Sequence, residues 1–291
     1  MDAVIDLPNI VDHALANPNL SSLVAALTNG GNTTFTDLLS NEEEEFTVFA
    51  PVNDAFADFT NPNSNDINAI LSNHVVVGAS AFSSGLMNSY VNTAAEFDTD
   101  ENLSLYINVD DGVTLNGVSN VAIADIVATN GVIHAVDAVI DLPTVVTFAV
   151  ADPNFSTLVQ ALTELTPSVD FVSVLSTQNG GGSDPFTVFA PTNAAFEALP
   201  AIPDEGDLTP ILQHHVVAGV NVRSGDLSDG ITATTLEGDN ITINLPGTGD
   251  NVADVTDGAG NTDIGIDAVD VQAINGVIHV LDGVLIPDTT N

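Results

Sequence analysis

The hexapeptide FTVFAP occupies residues 46–51 and returns letter for letter at residues 186–191. Read as a strand, Phe46, Val48 and Ala50 share one face while Thr47 and Phe49 share the other. Apolar residues on both faces predict a strand covered on both sides. Pro51 and Pro191 lack an amide N–H and mark the end of each ladder. Asn53 and Asn193 then stand where a helix begins, each with a side-chain oxygen suited to capping that helix, and Phe56 and Phe196 turn back towards the core. The phrase reads as a strand, a stop and a cap.

The surroundings of the hexapeptide recur in the same order, which removes coincidence as an explanation. NPNLS from Asn17 matches DPNFS from Asp152; ILSNHVVVG matches ILQHHVVAG; NGVIHAVDAVIDLP matches NGVIHVLDGVLIP. Two copies of one domain follow. Their expected extents are 9–143 and 144–291, with 1–8 a closing-strand remnant of a preceding repeat or a linker, because DAVIDLP at 2–8 is identical to 137–143. Within the second copy, Phe155, Leu158, Val159, Leu162 and Leu165 keep helical spacing, and Leu20, Leu23, Val24 and Leu27 repeat that stripe in the first. Ser156 or Asn154 is placed to cap this helix. HVVVG and HVVAG read as short strands ended by glycine, LSLYINV and NITINL as antiparallel strands, and NGVIH as a turn feeding a strand. The fold class is α+β, two tandem domains, each a mixed β-strand wedge flanked by helices.

The charge narrows the partners. Forty acidic residues stand against a single arginine, Arg223, and no lysine, for a formal net charge of −39. Nucleic acid and anionic membranes are set aside as direct partners, since there are no cations to displace their counterions. No apolar run reaches the roughly 20 residues that cross a bilayer. Self-repulsion among carboxylates weakens as the Debye length shrinks, so a salty, marine or halophilic extracellular setting is expected. Hydrophobic residues make up 44% of the chain, enough for real cores. The absence of cysteine rules out a disulfide framework.

In TVFAPTNAAF, HHVVAG and NGVIHVLDGVLIP the chain resembles the fasciclin (FAS1) family, twice and over nearly its whole length. The resemblance implies secreted or surface-anchored proteins that mediate adhesion. Family members often carry Tyr-His in the second signature segment; the positions here are Asn73-His74 and His214-His215, a departure that weakens any transfer of integrin binding.

Four histidines occupy matched positions, His74 with His215 and His134 with His279. With no HExxH, GxSxG, CxxC or phosphate-binding loop around them, they read as buried, hydrogen-bonded core groups. Phe46, Phe49, Phe186 and Phe189 join them as structural signature residues. The acidic loops offer hard oxygen ligands for calcium at Asp98, Asp100 and Glu101, and at Asp254, Asp257 and Asp263, without EF-hand spacing; solvated loops are the first reading and calcium sites the second. NEEEEF before the first core strand reads as a solvated loop that guards an apolar strand. Arg223 is expected to pair with Asp226. No cofactor is required, and calcium is the one ion considered.

The expected function is a non-enzymatic cell-adhesion or interaction module, extracellular or at a bacterial cell surface, binding other proteins, glycans or its own kind. The alternative is a structural subunit of an extracellular filament or surface layer, assisted by calcium.

Overall fold

The computed structural model describes residues 7–29, 33–177 and 185–289. It separates into two compact units at Pro143 and Thr144. Of the opening segment 1–8, residues 1–6 lie outside the described residues; Pro8 accepts a hydrogen bond from the Thr129 amide at 3.1 Å.

In the first unit three helices, α1 (Ile10–Ala16), α2 (Ser21–Leu27) and α3 (Thr34–Leu39), precede β1 (Phe46–Pro51). After them come α4 (Asn53–Asp58), α5 (Ile67–Ser72), β2 (Val75–Val77), β3 (Ser89–Asp98), β4 (Glu101–Asn108), β5 (Thr114–Leu115), β6 (Ser119–Ala128) and β7 (Gly131–Val136). The sheet order is β2-β1-β7-β6-β5-β4-β3. All six residues of β1 are buried, and the strand lies antiparallel to β2 and parallel to β7, with Phe46 opposite Gly131. Its two faces do what the alternation predicts. Phe46, Val48 and Ala50 pack with Ile10, Leu20 and Phe35 beneath the helices. Phe49 joins Leu105, Ile107, Leu115 and Ile140 on the opposite side.

The second unit repeats the plan with α6 (Val145–Ala151), α7 (Ser156–Gln160), a wide helical turn at Ala161–Leu165, and α8 (Phe171–Leu175). Next are β8 (Phe186–Pro191), α9 (Asn193–Glu197), α10 (Glu205–His214) and β9 (Val216–Ala218). The strands β10 (Thr232–Thr234), β11 (Asn240–Asn244), β12 (Ala253–Thr256), β13 (Ile264–Ala273) and β14 (Gly276–Leu281) complete it. Sheet order is β10-β11-β12-β13-β14-β8-β9, with β8 parallel to β14.

The Asn-Gly pairs open β7 and β14 for a steric reason. Gly131 has φ of +155°, and a Cβ there would sit 2.1 Å from the Phe46 carbonyl oxygen; Gly276 faces Phe186 in the same way. Only glycine lets the parallel neighbour approach that closely. The preceding asparagine does more than turn the chain. Asn130 is buried, donates to the carbonyls of Leu39 (2.7 Å) and Asn41 (3.2 Å), and accepts from the Ile10 amide (3.0 Å). Asn275 makes the matching bonds to Leu175, Thr177 and Val145. One amide side chain thus ties α1 and the end of α3, or α6 and the end of α8, to the sheet.

The capping expectations need correction. Asn53 and Asn193 are the first residues of α4 and α9, not their caps; in α9 the cap is Thr192, whose hydroxyl accepts from the Ala195 amide. The Asn53 side-chain oxygen instead accepts from the Ser22 amide at 2.9 Å and the Ser21 hydroxyl, while its nitrogen donates to Pro18. Asn193 repeats this on Thr157, Ser156 and Pro153. Each asparagine therefore caps a different helix, α2 or α7, across the fold. Asn154 and Ser156 cap nothing there, because the chain enters through a one-turn helix capped by Asp152.

Candidate functional site

The matched histidines are fastened to backbone. His74 Nδ1 lies 2.8 Å from the Ile70 carbonyl oxygen, and its Nε2 accepts from the Ile140 amide at 2.9 Å. The second bond requires a bare Nε2, so the proton sits on Nδ1 and is donated to Ile70. His215 makes the same pair of bonds to Ile211 and Leu285. Both rings are buried, and desolvation, only partly opposed by the carbonyl bond, lowers their pKa from 6.5 to about 4. Each ring clamps the closing segment of its unit onto α5 or α10.

His134 and His279 also bond to main chain, through Nε2 to the Ala81 and Val222 carbonyls, and lie against Phe49 and Phe189 with ring centroids 5.5 Å apart. Beside them stands a feature not expected from the sequence. Asp125 and Asp270 adopt positive φ, 61° and 63°, in the irregular parts of β6 and β13. Each carboxylate receives the amide and hydroxyl of one serine, Ser83 or Ser224, at 2.5–2.7 Å. The serine hydroxyl donates to aspartate, not to histidine, so the Ser-Asp-His grouping is a loop anchor and lacks the proton relay of a nucleophilic triad. These serines and aspartates occupy matched places around the repeat, which was the one available signal.

Arg223 does not form the expected side-chain pair with Asp226. Its guanidinium lies 3.9 Å from Asp270, while Asp226 accepts from the Arg223 backbone amide. Asp270 wins because β13 brings it beside Arg223, whereas Asp226 follows on the same tight turn and is aimed back at the main chain. The second signature segments differ most at their first positions. Asn73 binds the Asp141 carbonyl, while His214 spans Thr235 and the Gly258 amide, with burial lowering its pKa.

The acidic loops are placed as follows. Asp98 and Asp100 lie exposed at the β3–β4 turn, with Glu101 opening β4 and Asp98 accepting from the Thr99 amide. Asp254 is buried and takes bonds from Thr248 and Asn251. Asp257, also buried, holds Asn261 and the Ile286 amide, while Asp263 is exposed. The fold does not bring either trio together: among the described residues no group of three or more His, Asp or Glu side chains is arranged to hold a metal ion.

What both units leave open is an apolar cleft among their first three helices. In the first it is walled by Ile10, Leu15, Leu23, Leu27 and Phe35. In the second the walls are Val146, Val150, Leu158, Leu162 and Phe171. Leu15 and Val150 occupy equivalent positions on α1 and α6 and are 62% and 67% exposed, which places an aliphatic side chain in solvent at each mouth. The stripes read from the sequence fall on the second helix of each unit only; α1 and α6, which carry Leu15 and Val150, had no such reading.

With the fold and these features in view, the comparisons are consistent. The family model of the Fasciclin domain matches residues 18–143 and 153–287. The chain belongs to the fasciclin family, as a tandem pair. A Synechocystis protein, sll1735, is 37% identical over 151 residues, which span 50% of this chain and 98% of that protein. The cell surface glycolipoprotein MPB83 of Mycobacterium bovis is 37% identical over 150 residues, 49% of this chain and 60% of that protein. Among solved structures, the FAS1 domain pair of the insect cell adhesion molecule Fasciclin I is similar in fold. Its TM-score is 0.54 at 21% identity, and the match covers 92% of this chain and 97% of that one.

Proposed function

We propose that this chain is a non-enzymatic interaction module of an extracellular or cell-surface protein, serving adhesion by binding other macromolecules. The observation that carries this reading is the apolar cleft present in both units. His74 and His215 have both ring nitrogens committed to backbone bonds, whereas a concave apolar surface is left to solvent twice. Kinship with a cell-surface glycolipoprotein and fold likeness to a cell adhesion molecule support the setting. No described helix is long and apolar enough to cross a membrane.

The test is adhesion of beads coated with the whole chain to bacterial cells and to protein- or glycan-coated surfaces, against albumin-coated beads. Retention well above the albumin control is expected. Retention no better than albumin on every surface, or turnover of a substrate in a hydrolase panel, would refute the proposal.

A further inference from the structure

The clefts specify a kind of partner. Resting on the interaction reading above, we infer that each is a docking site for an apolar side chain carried on a cationic amphipathic segment of another protein. Three observations support this. The walls are almost wholly aliphatic and aromatic in both units, although other matched surface positions have diverged, Phe82 of the first being Arg223 in the second. The same position on the first helix, Leu15 or Val150, holds an exposed apolar side chain at the mouth.

Charge decides the third point. The helices forming the walls carry exposed Asp12 and Asp37 in the first unit, and in the second the exposed Glu164 and Asp170 stand next in sequence to the wall residues Thr163 and Phe171. Asp170 is held below the usual carboxylate range by two bonds from Ser173. The chain's lone arginine lies beside Asp270 and is not among the wall residues of either cleft. A partner approaching the chain meets its formal net charge of −39, felt over roughly 8 Å at physiological salt. A second copy of this chain, itself at −39, is repelled. A helix with lysines beside its apolar face meets both requirements, and α1 and α6, seven residues each, give walls long enough for one or two anchors.

The experiment measures binding of a fluorescein-labelled peptide with Leu and Phe on one helical face and Lys on the other. The full chain is used at physiological salt, with a scrambled peptide of equal composition as control. Two peptides bound per chain, at least tenfold tighter than the scrambled one, are expected. The double substitution Leu15→Asp and Val150→Asp changes exposed residues and adds negative charge. It should therefore strengthen any merely ionic binding yet reduce the amphipathic peptide to the scrambled level. Thermal melting confirms that the variant is folded, and Leu15→Ser with Val150→Ser serves as a second variant.

Equal binding of both peptides, or unchanged binding by the folded variants, would overturn the assignment. Growth in mass with concentration that the same substitutions abolish would overturn it too, in favour of a second copy as occupant. Bead adhesion that survives both substitutions would remove the clefts and leave the broader reading intact; wild-type beads that never adhere would remove the broader reading whatever the clefts bind.

Discussion

Protonation of His74 sets a pH limit on the first unit that can be worked out from its geometry. In the folded chain the ring is neutral, with a pKa lowered from 6.5 to about 4 by burial. In the unfolded chain it titrates normally. As pH falls, the unfolded state gains a proton first, so the stability contributed by the neutral ring is complete above about pH 7 and drains away between 6.5 and 4. The full span amounts to roughly 3 kcal/mol, of which about 2 kcal/mol is gone by about pH 5, before most carboxylates titrate. Both tyrosines, Tyr90 and Tyr106, lie in the first unit with ring centroids 4.8 Å apart, so tyrosine fluorescence during urea unfolding reports on that unit alone. His74→Gln should cost about 2–4 kcal/mol near neutral pH, since two buried hydrogen bonds are disturbed. The gap between variant and wild type should then shrink by about 2 kcal/mol on moving to about pH 5. A gap independent of pH would refute the assignment of the proton to the clamp.

Circular dichroism melts should show the second unit losing more stability than the first over the same pH range, because His214, His215 and His279 are all lowered by burial. Gly131→Ala places a methyl against the Phe46 carbonyl at a backbone angle unsuited to alanine; a loss of about 3 kcal/mol or more in urea unfolding is expected, and a neutral effect would contradict the close approach. Asn53→Ala removes the cross-fold cap of α2 and should cost about 1–2 kcal/mol in the same assay, where an effect below a few tenths would show the cap to be idle. Raising salt from about 0.01 M to about 0.5 M should raise the melting temperature by screening carboxylate repulsion; no rise would mean that the net charge carries little strain.

Much of this fold is legible in one dimension because the repeat supplies a second reading of every local pattern. The alternation in FTVFAP anticipated which side chain meets which core, since a strand's period fixes its faces whatever its neighbours are. Long-range bonds had no such signature. Asn53 was rightly seen beside a helix start, but only the folded chain brings it to the helix that it caps. Asp226 is the nearest carboxylate to Arg223 in sequence, yet the guanidinium pairs with Asp270, 47 residues on. The acidic loops show the same limit: aspartate type suggested a ligand set, while Asp257 is spent on holding Asn261 and the amide of Ile286, 29 residues further on.

The parallel pairing of β1 with β7 also governs how the chain is made. Phe46 cannot complete its ladder until Gly131 has been synthesised, so most of a unit must emerge from the ribosome before its central strand is covered. During that interval FTVFAP is exposed, next to the four glutamates at 42–45 that oppose aggregation. Repeated strand sequences bring a second hazard, since β8 has the sequence of β1, and GVIH opens both β7 and β14. On those residues alone β14 would accept β1 as readily as β8, and a chain refolding from denaturant has every strand available at once. Vectorial synthesis removes the ambiguity: β7 emerges, and claims β1, before β8 exists.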